Sequence, residues 1–208
     1  GIQFRNFSIT NSVDGIYIDG TFTANGQFVD ATQAQGSSFG YASGGQANNQ
    51  AAPYGGGGTA GLVTTIDKYS FVSDGNATGV GDLTQARRNM AGASSSTNGY
   101  TIGGQANTAP PPSPTPTTKT IDKFPFATDT NATDVGDLSN FLRDNAANHS
   151  STDAYSLGGF SDTPTSTELN VIDKFPFATD TNATAQSGTL TAARYSMTPT
   201  NSTTHGYV

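Results

Sequence analysis

The stretch Ile-Asp-Lys-Phe-Pro-Phe-Ala-Thr-Asp-Thr-Asn-Ala-Thr occupies residues 121–133 and recurs unchanged at residues 172–184. A related stretch at residues 66–78 begins Ile-Asp-Lys-Tyr-Ser-Phe and ends Asp-Gly-Asn-Ala-Thr. Within Ile-Asp-Lys-Phe-Pro-Phe the apolar residues alternate with polar or small ones, which is the period of a half-buried β-strand. The three copies start 55 and 51 residues apart, a spacing typical of propellers and solenoids.

The rest of each copy follows a common order. Val-Gly-Asp-Leu stands at residues 80–83 and 135–138, whereas the third copy keeps only Leu190. A turn such as Asn98-Gly99, which favours a two-residue hairpin, precedes a Tyr, and Gly pairs follow at residues 44–45, 103–104 and 158–159. Four strand-sized segments fit in each copy. No copy has a ten-residue amphipathic stretch, so helical repeats are not expected.

Composition excludes several classes of function. The net charge is −7 and the nine basic residues are scattered, which argues against binding to nucleic acid, whose phosphates need Lys and Arg clusters. No run of 18 apolar residues exists, so no membrane insertion is predicted. The chain has no Cys, which rules out disulfides and thiolate metal sites. We predict no cofactor and no metal.

The order of these features resembles the kelch repeat, and the match runs from about Phe28 to Val208. The resemblance implies an all-β fold, a kelch-like β-propeller built from four-stranded blades. One feature departs from the family pattern, since the chain has no Trp. Small residues near Ala77, Ala132 and Ala183 fill the position where the family has Trp, which implies looser blade cores.

Two domains are predicted. Residues 28–208 form the kelch-like repeat region, with about three blades plus the start of another, and residues 1–27 form a β-rich N-terminal arm. The arm either completes a blade with the C-terminal strands and closes a four-bladed ring, or anchors the chain to a partner. In the second case further blades lie beyond Val208, and we expect the chain to be part of a longer protein.

The nearly identical repeat units are also similar to repeats in virion proteins of marine bacteriophages, among them tail fibres and related appendages. This resemblance implies a non-enzymatic protein of the virion surface that mediates attachment to the host. Its expected partners are a host-surface glycan or protein, other virion proteins through the N-terminal region, and further copies of itself in a homo-oligomer. The alternatives are a capsid or tail decoration protein without a receptor role, a carbohydrate-active propeller enzyme, and a secreted bacterial adhesin.

The loops after the Gly pairs vary most between copies, and binding residues concentrate in such loops. In an up-and-down blade these loops share a face with the links that enter the next blade. We therefore predict a ligand site on that face, formed by Gln46, Asn48, Tyr54, Gln105, Asn107, Phe160 and Asp162.

Other polar residues are interpreted as structural because they repeat. The aspartates of the Ile-Asp-Lys segments recur once per copy, so a catalytic pair of carboxylates is not expected. Arg87, Arg143 and Arg194 follow the leucines and are interpreted as equivalent positions that pack or hydrogen-bond once per blade. The Asp-x-Asn-Ala-Thr turns resemble part of a calcium loop, but capping of the turn by Asp and Asn side chains explains them more simply.

Overall fold

A computed structural model describes residues 38–47, 61–106, 117–163, 166–202 and 204–208. These residues form antiparallel β-strands joined by turns and loops, and none of them is helical. In this part of the chain no helix has the length and hydropathy needed to cross a membrane. The predicted N-terminal arm, residues 1–27, lies outside the described residues.

Four sheets follow one another along the described chain. Sheet I contains β1 (Phe39–Ser43), β4 (Thr65–Ser70) and β5 (Thr78–Asp82). Sheet II contains β7 (Ala91–Ser94), β8 (Asn98–Ile102), β10 (Thr118–Pro125) and β11 (Thr133–Leu142). Sheet III contains β12 (Ala146–His149), β13 (Asp153–Ser161), β14 (Thr167–Pro176) and β15 (Thr184–Ala185). Sheet IV is the pair β16 (Thr200–Asn201) and β17 (Gly206–Tyr207).

Sheets II and III each consist of four antiparallel strands that pair in the order of the sequence. The prediction of an all-β fold with four strands in a complete copy is therefore confirmed for these two sheets. Sheet I has the second, third and fourth strands of a copy, and sheet IV has the first two, among the described residues. The described residues do not show a closed propeller.

Two short ladders lie outside the four sheets: the first joins two segments that both lie between β1 and β4, and the second joins the segment after Gly104 to the link between sheets I and II. The segment β2 (Gln46–Ala47) pairs with β3 (Gly61–Leu62), and β6 (Arg87–Arg88) pairs with β9 (Gln105–Ala106). A single bridge between Arg143 and Phe160 repeats the second pairing one copy later. In these two copies the segment after the Gly pair thus lies beside the link that enters its own sheet.

The Gly pairs fix the register of the repeat. Gly103 and Gly104 have φ values of 66° and 108°, a left-handed region that favours glycine. The second glycine of each pair donates its N–H to the carbonyl of a link residue, and the acceptors are the equivalent positions of the repeat. They are Arg87 at 2.8 Å, Leu142 at 2.7 Å and Arg194 at 2.9 Å.

The predicted equivalence of the three arginines is therefore wrong for one of them. Leu142, and not Arg143, occupies the position of Arg87 and Arg194. Arg143 is one residue further on, at the position of Arg88, and its backbone bonds Phe160 as Arg88 pairs with Gln105. Each link therefore has two neighbouring positions, one equivalent to Arg87 and one equivalent to Arg88. An arginine occurs at the first position in some copies and at the second position in others.

In sheets II and III a buried aspartate of the third strand forms hydrogen bonds with a Thr or Ser near the end of the preceding sheet. Asp122 of β10 is fully buried, and its carboxylate accepts hydrogen bonds from the N–H (3.0 Å) and the hydroxyl (2.6 Å) of Thr84. Asp173 of β14 is also fully buried and accepts the same two bonds from Ser139, at 3.0 and 2.7 Å. We call each aspartate with its Thr or Ser a carboxylate clamp. Each clamp ties the strand of one sheet to the residues that leave the preceding sheet.

In sheet II the clamp also contains a buried cation. Arg87 is fully buried, and its Nη2 lies 2.9 Å from Asp122 Oδ2. The same guanidinium donates to the carbonyl oxygens of Thr101 and Thr120, both at 3.2 Å. Burial lowers the pKa of Arg87, and the nearby Asp122 carboxylate opposes that shift. In sheet III, Leu142 takes the place of the arginine and is fully buried.

The Asp-Thr-Asn-Ala-Thr turns bind the preceding sheet. Asn131 Oδ1 accepts a hydrogen bond from the N–H of Asp82 (3.1 Å), and Lys68 Nζ donates to Asp129 (3.0 Å). One copy later Asn182 and Asp180 make the same contacts with Asp137 and Lys123. The side chains of these turns are therefore engaged in contacts between sheets.

Two hydrophobic clusters fill the spaces between successive sheets. One cluster joins sheets I and II through Ile66, Leu83, Phe124 and Ala132. The other joins sheets II and III and includes Ile102, Ile121, Leu138, Leu142 and Phe175. Ala132 belongs to the first cluster and Ala183 packs against the second, so a small residue lies at both positions.

We expect Asp122→Ala to lower the free energy of unfolding by about 3–5 kcal/mol, because it leaves the buried charge of Arg87 unpaired. The double variant Asp122→Ala, Arg87→Leu restores part of the loss, since leucine is what sheet III carries at that position. Urea denaturation followed by circular dichroism measures both. Equal losses in the single and double variants would contradict the role of the ion pair.

Gly81 tests the contact between a turn and the preceding sheet. A Cβ at Gly81 would lie 2.4 Å from the backbone oxygen of Thr130, so Gly81→Ala should cost about 1–3 kcal/mol of stability. Gly75→Ala is the control, because a Cβ there meets nothing within 4 Å. Thermal unfolding compares the two variants, and equal melting temperatures would contradict the packing described.

Candidate functional site

Aromatic side chains pack from one sheet onto the next in a repeated arrangement. Tyr41 of β1 stacks on Phe126, with ring centroids 4.8 Å apart, and contacts Phe124 at 5.5 Å. One copy later Tyr100 of β8 makes the same contacts with Phe177 (5.1 Å) and Phe175 (5.5 Å). The Phe-Pro-Phe sequence places two rings on one side of the chain, because alternate residues of a strand share a face. We call this arrangement the Tyr–Phe pair contact.

Sheet I also has aromatic residues at the two positions of the Phe pair, but there the two side chains are exposed. Tyr69 crosses β1 at Gly40, as Phe124 crosses β8 at Gly99, so Tyr69 and Phe71 correspond to Phe124 and Phe126. Tyr69 is 42% and Phe71 52% exposed, and the two rings meet edge to face at 5.5 Å. Among the described residues no tyrosine of a preceding sheet covers them.

These rings line a cavity of about 330 Å³. Its apolar wall contains Phe39, Tyr69 and Phe71 of sheet I, and Lys68 Nζ lies 4.6 Å above the Phe39 ring. The cavity is reached at the ends of the strands opposite the Gly pairs. Strands β7 and β12 complete the lining, β7 with Gly92, Ala93 and Ser94 and β12 with Ala147, Asn148 and His149.

Polar groups also line the cavity. They come from Ser94, Asn148, His149 and Asn201, which sit at or near the ends of the first strands of sheets II, III and IV. Asn148 is buried and donates from Nδ2 to the carbonyl of Tyr207 (3.2 Å). Desolvation by burial lowers the pKa of the His149 imidazole, so this group is neutral and able to donate and accept hydrogen bonds at neutral pH.

The chemistry of the lining is that of a binding surface. Exposed aromatic faces beside amide, hydroxyl and imidazole groups suit a ligand with both apolar faces and hydroxyls. The described residues that line the cavity include no Asp or Glu. The described residues also contain no group of three or more His, Asp or Glu side chains placed to hold a metal ion.

The structure brings the predicted ligand residues together in pairs around arginines. Gln46 and Gln105 both accept hydrogen bonds from Arg88, the second from Nε at 3.0 Å. Arg88 thus joins the loops of sheets I and II. Asn48, Tyr54 and Asn107 of the prediction lie outside the described residues.

The second pair surrounds Arg143. The Phe160 ring lies 4.4 Å from the guanidinium carbon, and Asp162 accepts a hydrogen bond from Nε at 3.0 Å. The hydrogen bond that Arg143 donates to Asp162 is the main cause that raises the pKa of Arg143. Phe160 also meets Tyr195 edge to face at 5.5 Å. Phe160 and Asp162, which the sequence predicted as ligand-binding residues, therefore make contacts with other residues of the protein.

The residues around the cavity were not predicted from the sequence as a site. Tyr69 and Phe71 occupy the aromatic positions of the repeat, so they were interpreted as part of a half-buried strand. The one available signal was the change from Phe-Pro-Phe to Tyr-Ser-Phe in the first copy. That change replaces an apolar ring by one with a hydroxyl group.

Comparison with other proteins adds no assignment. No protein-family model matches the chain, and a search of curated proteins found no match. The resemblances to kelch repeats and to phage appendage proteins therefore stay predictions.

His149 should make stability depend on pH. Because its pKa is lowered in the folded chain, the unfolded chain binds the proton more readily, and stability is lost as the pH falls below about 6.5. We expect His149→Gln to lose less stability than the wild type between pH 7 and pH 5, as measured by urea denaturation. The control is His205→Gln, since His205 is exposed in a turn. If the His149→Gln variant loses as much stability as the wild type between pH 7 and pH 5, the role of His149 in the pH dependence is contradicted.

Proposed function

We propose that this chain is a non-enzymatic protein of a virion surface that attaches to a host-surface glycan through the aromatic cavity of sheet I. The observation that carries the proposal is the exposed pair Tyr69 and Phe71, which lines the same cavity as the amide of Asn201 and the imidazole of His149. Sugar rings offer apolar C–H faces to aromatic rings and hydroxyls to such polar groups.

The proposed architecture is a kelch-like β-propeller in which sheets I to IV are consecutive blades. Support comes from the four-stranded order of sheets II and III and from the contacts that repeat between neighbouring sheets. In such a propeller the first strands of the blades, β7, β12 and β16, surround the central axis, and residues of all three regions line the cavity. The ligand would bind at one end of that axis.

A binding role accounts for the cavity better than catalysis does. Glycoside hydrolysis needs two carboxyl groups beside the bound sugar, and the described lining supplies none. The two buried aspartates, Asp122 and Asp173, are held by Thr84 and Ser139 in the carboxylate clamps. Weak single sites would gain strength if several copies display them on one particle.

The test is a glycan array probed with the wild-type chain and with the double variant Tyr69→Ala, Phe71→Ala. We expect the wild type to bind a defined set of glycans, and the variant to bind them about tenfold or more weakly because it loses two stacking surfaces. Tyr195→Ala is the matched control, since Tyr195 is similarly exposed (45%) and contacts Phe160.

Two results would contradict the proposal. In one, the wild type binds no glycan when displayed at high density. In the other, the double variant binds as well as the Tyr195→Ala control. The first result would favour a decoration protein without a receptor role, whose cavity is covered by neighbours in the particle.

A further inference from the structure

The first strands of sheets II, III and IV end in the same backbone arrangement. In each copy a serine follows the strand, and its N–H donates to the carbonyl of the residue three positions on, at 2.8 or 2.9 Å. The serine Oγ accepts the N–H groups of the residues two and three positions on, at 3.0–3.3 Å. These serines are Ser95, Ser150 and Ser202. The residues immediately before them are therefore equivalent, and we call them the strand-end residues: Ser94, His149 and Asn201.

The strand-end residues line one cavity although they belong to three different sheets. Each is paired across its hairpin with a small residue of the second strand, and these partners are Gly99, Ala154 and Gly206. A Cβ at Gly99 would collide with the ring of Phe124, the residue that pairs with Gly99 on the third strand. Because directly paired residues share a face of the sheet, the hydroxyl of Ser94 and the ring of Phe124 lie on one face with a glycine between them.

The chemistry of the strand-end residues differs between copies, whereas their surroundings are repeated. A hydroxyl, an imidazole and an amide follow one another around the cavity, each beside the same serine turn and opposite a small residue. A side chain at the end of a strand is positioned more precisely than one on a long loop. Different polar groups at equivalent, well-positioned places in one cavity are suited to selecting a ligand.

The lining of the cavity is uncharged at neutral pH. The described residues that line it include no Asp, Glu, Lys or Arg, and burial lowers the pKa of His149, so its imidazole is neutral. Lys68, whose Nζ lies above the Phe39 ring, is paired with Asp129 at 3.0 Å. A charged ligand group would lose water on entry and gain no counter-ion from this lining, which is unfavourable.

We propose that Ser94, His149 and Asn201 are the specificity-determining residues of the cavity and that they select an uncharged saccharide. This role rests on the proposed glycan attachment, and it adds the class of glycan and the groups that select it. Each side chain exchanges hydrogen bonds with a sugar hydroxyl, while the aromatic wall packs against the C–H faces of the sugar. Asn201 Nδ2 also donates to the carbonyl of His149 at 3.4 Å, which joins the strand ends of sheets III and IV.

The test is an array of neutral and acidic saccharides probed with the whole 208-residue chain. We expect the wild type to bind neutral saccharides and to prefer some of them. Asparagine occurs at this position in sheet IV, so Ser94→Asn and His149→Asn suit the turn. Each variant should bind the preferred saccharide about tenfold more weakly, because a hydrogen bond to the ligand is lost, and should change the order of preference.

Ser96→Asn is the matched control for Ser94→Asn. Ser96 lies two residues further on in the same turn, is exposed, and is not among the described residues that line the cavity. The control should keep both the affinity and the order of preference of the wild type. A change of order in the control equal to that in Ser94→Asn would count against the proposal.

Three other results would overturn the proposal. Preferred binding of acidic saccharides would contradict the ligand class. An unchanged order of saccharides in Ser94→Asn and His149→Asn would contradict the selecting role, and so would an equal loss for every saccharide, which a purely structural role predicts. In these cases attachment through the cavity stands if Tyr69→Ala, Phe71→Ala abolishes binding. A wild type that binds no glycan would overturn both proposals.

Discussion

The carboxylate of Asp122 accepts two hydrogen bonds from Thr84 and pairs with Arg87, so one buried side chain joins the link from sheet I to the third strand of sheet II. A buried carboxylate is strongly destabilising unless it is paired or hydrogen-bonded. This requirement fixes where the link runs and therefore where the next sheet begins. The docking of the turn at Asn131 and the packing of Tyr41 on Phe126 join the same two sheets.

The position that Arg87 occupies in sheet II does not carry a cation in every copy of the repeat. In sheet III, Leu142 fills the space that Arg87 fills in sheet II, and the clamp of Asp173 consists of Ser139 alone. Replacement of a buried ion pair by a well-packed apolar side chain is often neutral for stability. The hydrogen bonds from the Thr or Ser are thus the constant part of the clamp, and the arginine is the variable part.

Much of the fold could be predicted because each copy of the repeat contains local sequence signals for strands and turns. Alternation marks the third strands, and the Gly pairs and Asx-rich turns mark the places where the chain reverses. The equivalence of Arg143 with Arg87 was wrong because two adjacent link positions both accept arginine, and only the hydrogen bonds from the Gly pairs distinguish them. The cavity was not predicted, because it depends on which aromatic pair has no tyrosine packed on it among the described residues. That is a property of packing between sheets and not of any one segment.

The carboxylate clamp is the central contact between successive sheets, and native-state hydrogen exchange of the Thr84 amide tests it most directly. Thr84 lies in a bend outside every strand, yet its N–H donates to a fully buried carboxylate. We predict that this amide exchanges as slowly as the amides of β10 and β8, because it opens only when the two sheets separate. Exchange as fast as that of the exposed turn at Gly75 would contradict the clamp, and with it the packing of successive sheets described above.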